Sequence, residues 1–270
     1  RALGQAGPAA RGATAYVTLE PCAHASARGA ACTESLIAAG IARVIVATRD
    51  PDPRTNGAGI ARMTAAGIQV EEGVRSAEAI RGIHGWWCRT TLGRPAVTLK
   101  LATSLDGCIA MADGRSRWIT GERARAHAHL ERARHDAILV GRRTLTIDEP
   151  RLDVRLAGLA HRAPRRILLS SAPAPEGWTR LTAPAAIADL ADVNDLLVEG
   201  GAATAAAFLA ADLVDRLLLY RAPILIGGGR PAIGDIGLGE LDAAHGRWCQ
   251  IAAHQLGSDR LEVYERIRTA

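Results

Sequence analysis

Between Thr14 and Val70 the chain passes twice from a helix-length stretch into a short apolar run, and each return is spelled Ala-Ala-Gly-Ile, at 38–41 and again at 65–68. Glycine is the residue favoured just past a helix end, because it takes the left-handed backbone without steric cost. A β-branched residue then opens an extended segment. The pattern predicts strands at Thr14–Leu19, Arg43–Ala47 and Ile68–Val70, with helices at Thr33–Ala39 and Gly59–Ala66 between them. Strand–helix–strand alternation with short connections implies a parallel sheet covered by its crossover helices, an α/β layer architecture.

A helix is predicted over Ser76–Cys88, and Thr91-Leu92-Gly93-Arg94-Pro95 is a polar, Gly/Pro-marked break. The break divides the chain into domains 1–92 and 93–270. Beyond it, Ala96–Ala102 is an apolar strand and Thr120 is placed to cap a helix over Gly121–Ala133. His127, His129 and His135 fall at offsets that scatter them around that helix, so they are expected to be solvated. Strands follow at Ala137–Val140 and Arg166–Ser171, with Thr144–Arg155 as a loop between them. Ala172–Asn194 is Pro/Ala-rich and barely patterned. Asp195–Val198 is a buried-type strand that ends in Glu199-Gly200-Gly201 and leads into a helix over Ala202–Ala210. Glycines at such a turn let an anion approach backbone N–H groups.

The 270 residues carry 48% hydrophobic and 23% charged side chains, ordinary for a globular protein. No apolar run is long enough to span a membrane, and the start lacks a signal-peptide pattern. Five widely spread cysteines suit a reducing cytoplasm better than a disulfide framework. The net charge of +5 is carried almost wholly by arginine, whose guanidinium fork suits phosphate. With aromatics at 3%, no basic patch interleaves with stacking residues, which argues against nucleic acid. Lys100 is the sole lysine and sits in an apolar strand: it is either paired in the interior, with Asp106 as a candidate partner, or an edge residue reaching solvent.

Thr18-Leu19-Glu20-Pro21-Cys22-Ala23-His24 followed by Cys32 carries a second signal. A Pro-Cys after an apolar strand, with another Cys at the start of a helix, is how zinc deaminases present two thiolates to one metal. With His24 and Arg28 inside the longer loop, the motif resembles the bifunctional deaminase–reductase of riboflavin biosynthesis. The resemblance implies zinc on Cys22 and Cys32. The family's upstream His-x-Glu, which supplies a third ligand and the acid/base, has no counterpart before Glu20, so an N-terminally truncated chain with doubtful deaminase activity is expected.

The second half is similar to the reductase of the same family, in Lys100–Ala102, Ser104-Leu105-Asp106-Gly107 and Ser116-Arg117-Trp118-Ile119-Thr120 above all. The resemblance implies a cytidine-deaminase-like α/β remnant followed by a dihydrofolate-reductase-like α/β domain that uses NADPH. It implies catalytic roles for Lys100 and Asp106. It places substrate on Ser116, Arg132, Leu152, Arg155 and Glu199, and cofactor on Ala102, Trp118, Thr144, Asp148, Ser171, Gly201, Ala202, Ala203 and Thr204. The implied partners are phosphoribosylaminopyrimidine substrates and further copies of the chain. The short 172–194 segment suggests that part of the cofactor wall is missing. Without the resemblance, Asp106 is turn chemistry, Glu199 a strand-end residue, and 144–155 an exposed acidic loop. A reductase-only enzyme and a non-catalytic ligand-binding relic are the rival readings.

Overall fold

The computed structural model describes residues 1–25 and 29–268; Arg28, one of the motif residues matched above, lies outside the described residues. The chain divides into two compact units, Arg1–Leu92 and Gly93–Ala270.

In the first unit, α1 (Ala2–Ala6), β1 (Thr14–Leu19), α2 (Cys32–Ala38), β2 (Arg43–Thr48), α3 (Ala58–Ala65), β3 (Gln69–Glu72), α4 (Ser76–Gly82) and α5 (His84–Leu92) follow one another. The strands form a parallel sheet in the order β1-β2-β3. Gly40 and Gly67 do take positive φ, 68° and 84°, as the repeated return requires. Leu36, Val44, Val46, Met63 and Ile68 form the core beneath the helices. The helix expected over Ser76–Cys88 is two helices broken at Ile83, where Gly82 and Gly85 offer little helical propensity.

The second unit runs β4 (Ala96–Thr103), β5 (Cys108–Ala110), α6 (Glu122–Arg134), β6 (Ala137–Gly141), α7 (Arg142–Asp148), β7 (Arg165–Leu169), β8 (Thr179–Leu181), β9 (Asp195–Val198), α8 (Ala202–Ala210), β10 (Arg216–Arg221), β11 (Arg230–Pro231), β12 (Trp248–Leu256) and β13 (Asp259–Arg266). Its main sheet has the order β12-β13-β10-β4-β9-β6-β7-β8, parallel from β10 to β8, with β13 antiparallel on β10. From β4 the chain crosses β9 to reach β6. From β9 it crosses β4 the other way to reach β10. Parallel crossovers are right-handed, so opposite directions put α6 and α8 on opposite faces. Val97, Leu99, Leu101, Leu139 and Val198 accordingly pack with Phe208 of α8. Leu218 and Tyr220 pack with Ala124 of α6. Alternation along β4 puts Lys100 on the α6 face, in a strand bonded on both sides, so it is no edge lysine.

Three local expectations change. Thr120 is not the helix cap: Gly121 holds that position in extended conformation, and its backbone N–H donates to Asp259 Oδ2 at 2.6 Å. Thr144–Arg155 is not all loop, since its first residues belong to α7. Ala172–Asn194 is not featureless either. It holds β8 and a 3-10 helix at Pro184–Asp189, and it buries Leu181, Ile187, Leu190 and Val193 against the α8 side of the sheet. Four apolar side chains spaced for a strand and a tight turn suffice there, and 3-10 geometry has no 3.6-residue period to read.

Candidate active site

A cavity of about 840 Å³ opens at the carboxyl ends of β4, β9, β6 and β7. This is the switch point between opposed crossovers, where open parallel sheets place their ligands. Lys100 and Ala102 come from β4. Glu199, Gly200 and Gly201 follow β9, and Ala202, Ala203 and Thr204 begin α8. Ser116 and Trp118 line the mouth, α6 contributes Arg132, α7 contributes Thr144 and Asp148, and the next loop supplies Leu152 and Arg155. Fourteen of the sixteen reductase-side residues singled out by resemblance thus line one cavity.

The other two lie elsewhere. Ser171 is exposed beyond β7, where its carbonyl accepts from Arg180 at 3.0 Å. Asp106 is exposed and is not the partner of Lys100. Its carboxylate accepts the backbone N–H groups of Ile226 (3.2 Å) and Gly227 (2.8 Å), which ties two loops together. Bonds from Ser104 and those amides hold its carboxyl down to about 2.

The charged centre is Arg132 and Glu199. Two parallel hydrogen bonds join them, Nε to Oε1 at 2.8 Å and Nη2 to Oε2 at 2.9 Å, with both side chains largely buried. Burial works to raise the Glu199 carboxyl, but Arg132 and then Lys100 outweigh it and hold it below the usual carboxylate range. Burial lowers the Lys100 ammonium; Glu199 opposes that shift and Arg132 adds to it. The Lys100 ammonium also stands 5.7 Å from the centre of the Tyr220 ring, whose hydroxyl meets His127 Nδ1 at 2.8 Å.

The glycines at the strand ends answer to close packing. A Cβ at Gly141 would lie 2.3 Å from Thr204 Oγ1, and one at Gly200 2.4 Å from Thr204 Cβ. Thr204 therefore wedges the start of α8 between the ends of β6 and β9. Gly201 is different: a Cβ there would meet only Thr144 Oγ1, at 3.8 Å, and would project into open space. No side chain caps α8, so the N–H groups of its first turn face the cavity unclaimed by a side chain. Leu152 holds a left-handed backbone (φ 54°) while its side chain packs on Ile138, Val140 and Leu197, making it core and cavity lining at once. Trp118 is 66% exposed at the rim, with the Arg125 guanidinium 5.0 Å from its ring.

Sequence reasoning missed the three histidines of α6 and its C-terminal end, His127, His129 and His135. None is freely solvated: His127 meets Tyr220, and His135 Nδ1 lies 2.6 Å from the Glu131 carbonyl. His129 lines the cavity, bonded to Asp153 and Arg155. Burial, then the nearby Arg132 and Arg155, push its imidazole below the ordinary histidine value. The signal available in the sequence was the i, i+3 pair His129 and Arg132 on one helix face.

In the first unit Cys32 opens α2, and its backbone N–H donates to Cys22 Sγ at 3.3 Å. Burial and the hydrogen bond with Cys22 raise the Cys32 thiol. His24 Nδ1 lies 3.3 Å from Thr55 Oγ1. Among the described residues, no three His, Cys, Asp or Glu side chains are grouped to hold one metal ion. Two thiols without a third ligand do not make a tetrahedral zinc shell. Glu20 is buried with its carboxylate accepting from four backbone N–H groups: Asp50 (3.2 Å), Gly57 (2.9 Å), Gly59 (2.9 Å) and Ile60 (3.1 Å).

The second unit is a mixed α/β domain with the dihydrofolate-reductase-like fold of riboflavin-type reductases, its cavity at the strand switch point. Residues 95–257 match the family model described as the RibD C-terminal domain. The riboflavin biosynthesis protein RibD of Mycobacterium tuberculosis is 38% identical over 275 residues, spanning 96% of this chain and 80% of that protein. Escherichia coli RibD is 37% identical over 84% of this chain and 74% of its own. The structure of Acinetobacter baumannii RibD superposes with a TM-score of 0.84 at 33% identity, over 99% of this chain and 84% of that one. A Thermotoga maritima diaminohydroxyphosphoribosylaminopyrimidine deaminase/5-amino-6-(5-phosphoribosylamino)uracil reductase does so at 0.80 and 27%, over 95% and 80%. The chain belongs to the RibD family.

Proposed function

We propose that residues 93–270 form an NADPH-dependent reductase domain that converts 5-amino-6-(5-phosphoribosylamino)uracil to its ribitylamino product, a step in riboflavin biosynthesis. The observation that carries the reading is the convergence of Lys100, Arg132 and Glu199 at the carboxyl ends of β4 and β9, in a cavity with room for a dinucleotide and a small substrate.

The residues fit the cofactor. The open cradle at Gly201 and the uncapped first turn of α8 suit a pyrophosphate. Thr144, Asp148 and Trp118 line the same cavity toward its mouth. NADPH would supply hydride; everything else falls to the chain. Opening the phosphoribosylamine to the ribityl chain breaks the bond from the anomeric carbon to the ring oxygen; hydride adds to that carbon, a proton goes to the released oxygen, and the nitrogen ends with the one hydrogen it began with. Lys100, whose ammonium burial makes more acidic, is placed to donate that proton or to orient the amine. Glu199, kept ionised by Arg132, accepts from a ribose hydroxyl. Arg155, 58% exposed at the cavity edge, takes the phosphate.

The first unit, residues 1–92, is a deaminase-like domain in this reading. Among the described residues its two thiols do not complete a zinc site, and deamination is not part of this reading. The five widely spread cysteines suit a reducing cytoplasm. Two variants test the reductase reading. Gly201→Val, which fills the cradle, should weaken NADPH by at least about tenfold in a fluorescence titration. Lys100→Met should keep NADPH affinity and lose turnover. Unchanged affinity in the first, or full turnover in the second, would overturn it.

A further inference from the structure

We propose that His129 is the positioning residue that holds Arg155 ready for the substrate phosphate. The inference rests on the reading of the cavity given above and adds to it how an exposed arginine is kept aimed.

Arg155 leaves the loop after α7 with most of its side chain in solvent. A free guanidinium there would sample many rotamers, and ordering it at the moment of binding would cost affinity. Two groups near it offer restraint. The Asp153 carboxylate is 3.6 Å away, beyond hydrogen-bond range, and its buried Oδ1 has no hydrogen-bond partner among the described residues. His129 Nε2 is within range, 3.2 Å from Arg155 Nε.

The imidazole can serve only in one state. Arg155 Nε–H donates, so Nε2 must accept, and the ring proton must then sit on Nδ1. There the Asp153 carbonyl oxygen waits at 3.0 Å, closer than the Arg155 backbone N–H, which faces the same nitrogen at 3.3 Å and goes without it in this tautomer. The same carbonyl receives Arg132 Nη1 at 3.2 Å. One loop oxygen therefore aligns the helix histidine and the arginine that grips Glu199. The ring is fixed by a rigid helix on one side and the loop backbone on the other, and its second nitrogen points at Arg155. Burial first, and then Arg132 and Arg155, favour the uncharged ring this arrangement needs. His129 itself does not have to touch the substrate.

The test is steady-state kinetics with NADPH and 5-amino-6-(5-phosphoribosylamino)uracil on His129→Leu, His129→Gln, Arg155→Ala and the Leu/Ala double variant. His129→Leu should raise the substrate KM roughly tenfold, the size of one lost hydrogen bond with the ordering it provides, while kcat and the NADPH Kd stay within about twofold. His129→Gln should recover most of the loss, because its amide can donate to the Asp153 carbonyl and accept from Arg155. The double variant should be no worse than Arg155→Ala. Intact NADPH binding shows that each variant is folded. If Arg155→Ala raises KM and His129→Leu does not, the positioning role is wrong and the phosphate site stands. If Arg155→Ala has no effect, the phosphate reading itself fails. Equal loss in NADPH and substrate binding for His129→Leu, or no recovery with Gln, would make His129 a packing residue and overturn the proposal.

Discussion

Glu20 and Glu199 are both acids placed directly after a parallel strand, β1 in the first unit and β9 in the second, and they are used in opposite ways. Glu20 spends both oxygens on four backbone N–H groups, which fastens the start of α3 and the preceding turn to the end of β1. Gly59 is part of that clamp, because a Cβ there would come within 2.1 Å of the Pro21 carbonyl. Nothing in Glu20 is left over for a ligand. Glu199 is held by side chains instead, by a forked arginine on another element and the field of a lysine, and it faces a cavity. A carboxylate satisfied by its own backbone maintains a fold. One satisfied by charged side chains can exchange partners when a substrate arrives.

The largest effect should come from separating the partners in the second unit. Glu199→Ala leaves Arg132 and Lys100 with unbalanced buried charge, a change that costs about 3–5 kcal/mol in comparable pairs. Reductase turnover should fall by about a thousandfold or more, and denaturant unfolding of this unit should shift down. The pH dependence sharpens the same point. Because the folded carboxyl lies below its ordinary value, its contribution is complete above that value and is lost as pH falls through it toward the lower folded one. The stability gap between wild type and Glu199→Gln should therefore close on acidification from neutral pH. A gap that widened would mean Glu199 is not ionised in the fold.

Glu20→Ala should act on the other side only. Each orphaned buried N–H costs about 1–3 kcal/mol where water cannot reach it, so limited proteolysis should open the first unit readily. NADPH affinity, a property of the second unit, should change by less than about twofold. Parallel loss of both would show that the two units do not fold independently.

The strands of both sites were legible because their environments impose simple patterns. β4 and β9 are buried on both faces and read as apolar runs, and the exceptions, Lys100 and Glu199, stood out against them. The glycine returns of the first unit were legible because positive φ selects glycine. His129 was legible only through its i, i+3 spacing from Arg132. α6 is polar nearly all round and alternates small buried alanines with long side chains, so no stripe separates its cavity face from its solvent face. The partners of Asp106 were not legible for a related reason. Its partners, the amides of Ile226 and Gly227, lie far along the chain, and backbone donors carry no sequence signature. The clamp made by Glu20 was invisible on the same ground.

The most direct test of the central claim is a single-turnover measurement. The purified chain would be mixed with NADPH and 5-amino-6-(5-phosphoribosylamino)uracil, following NADPH absorbance and the ribitylamino product together. The expected result is one NADPH consumed for each ribitylamino product formed, abolished by Glu199→Ala. NADPH bound but never oxidised in the presence of that substrate would contradict it, and would leave the cavity a binding site without turnover.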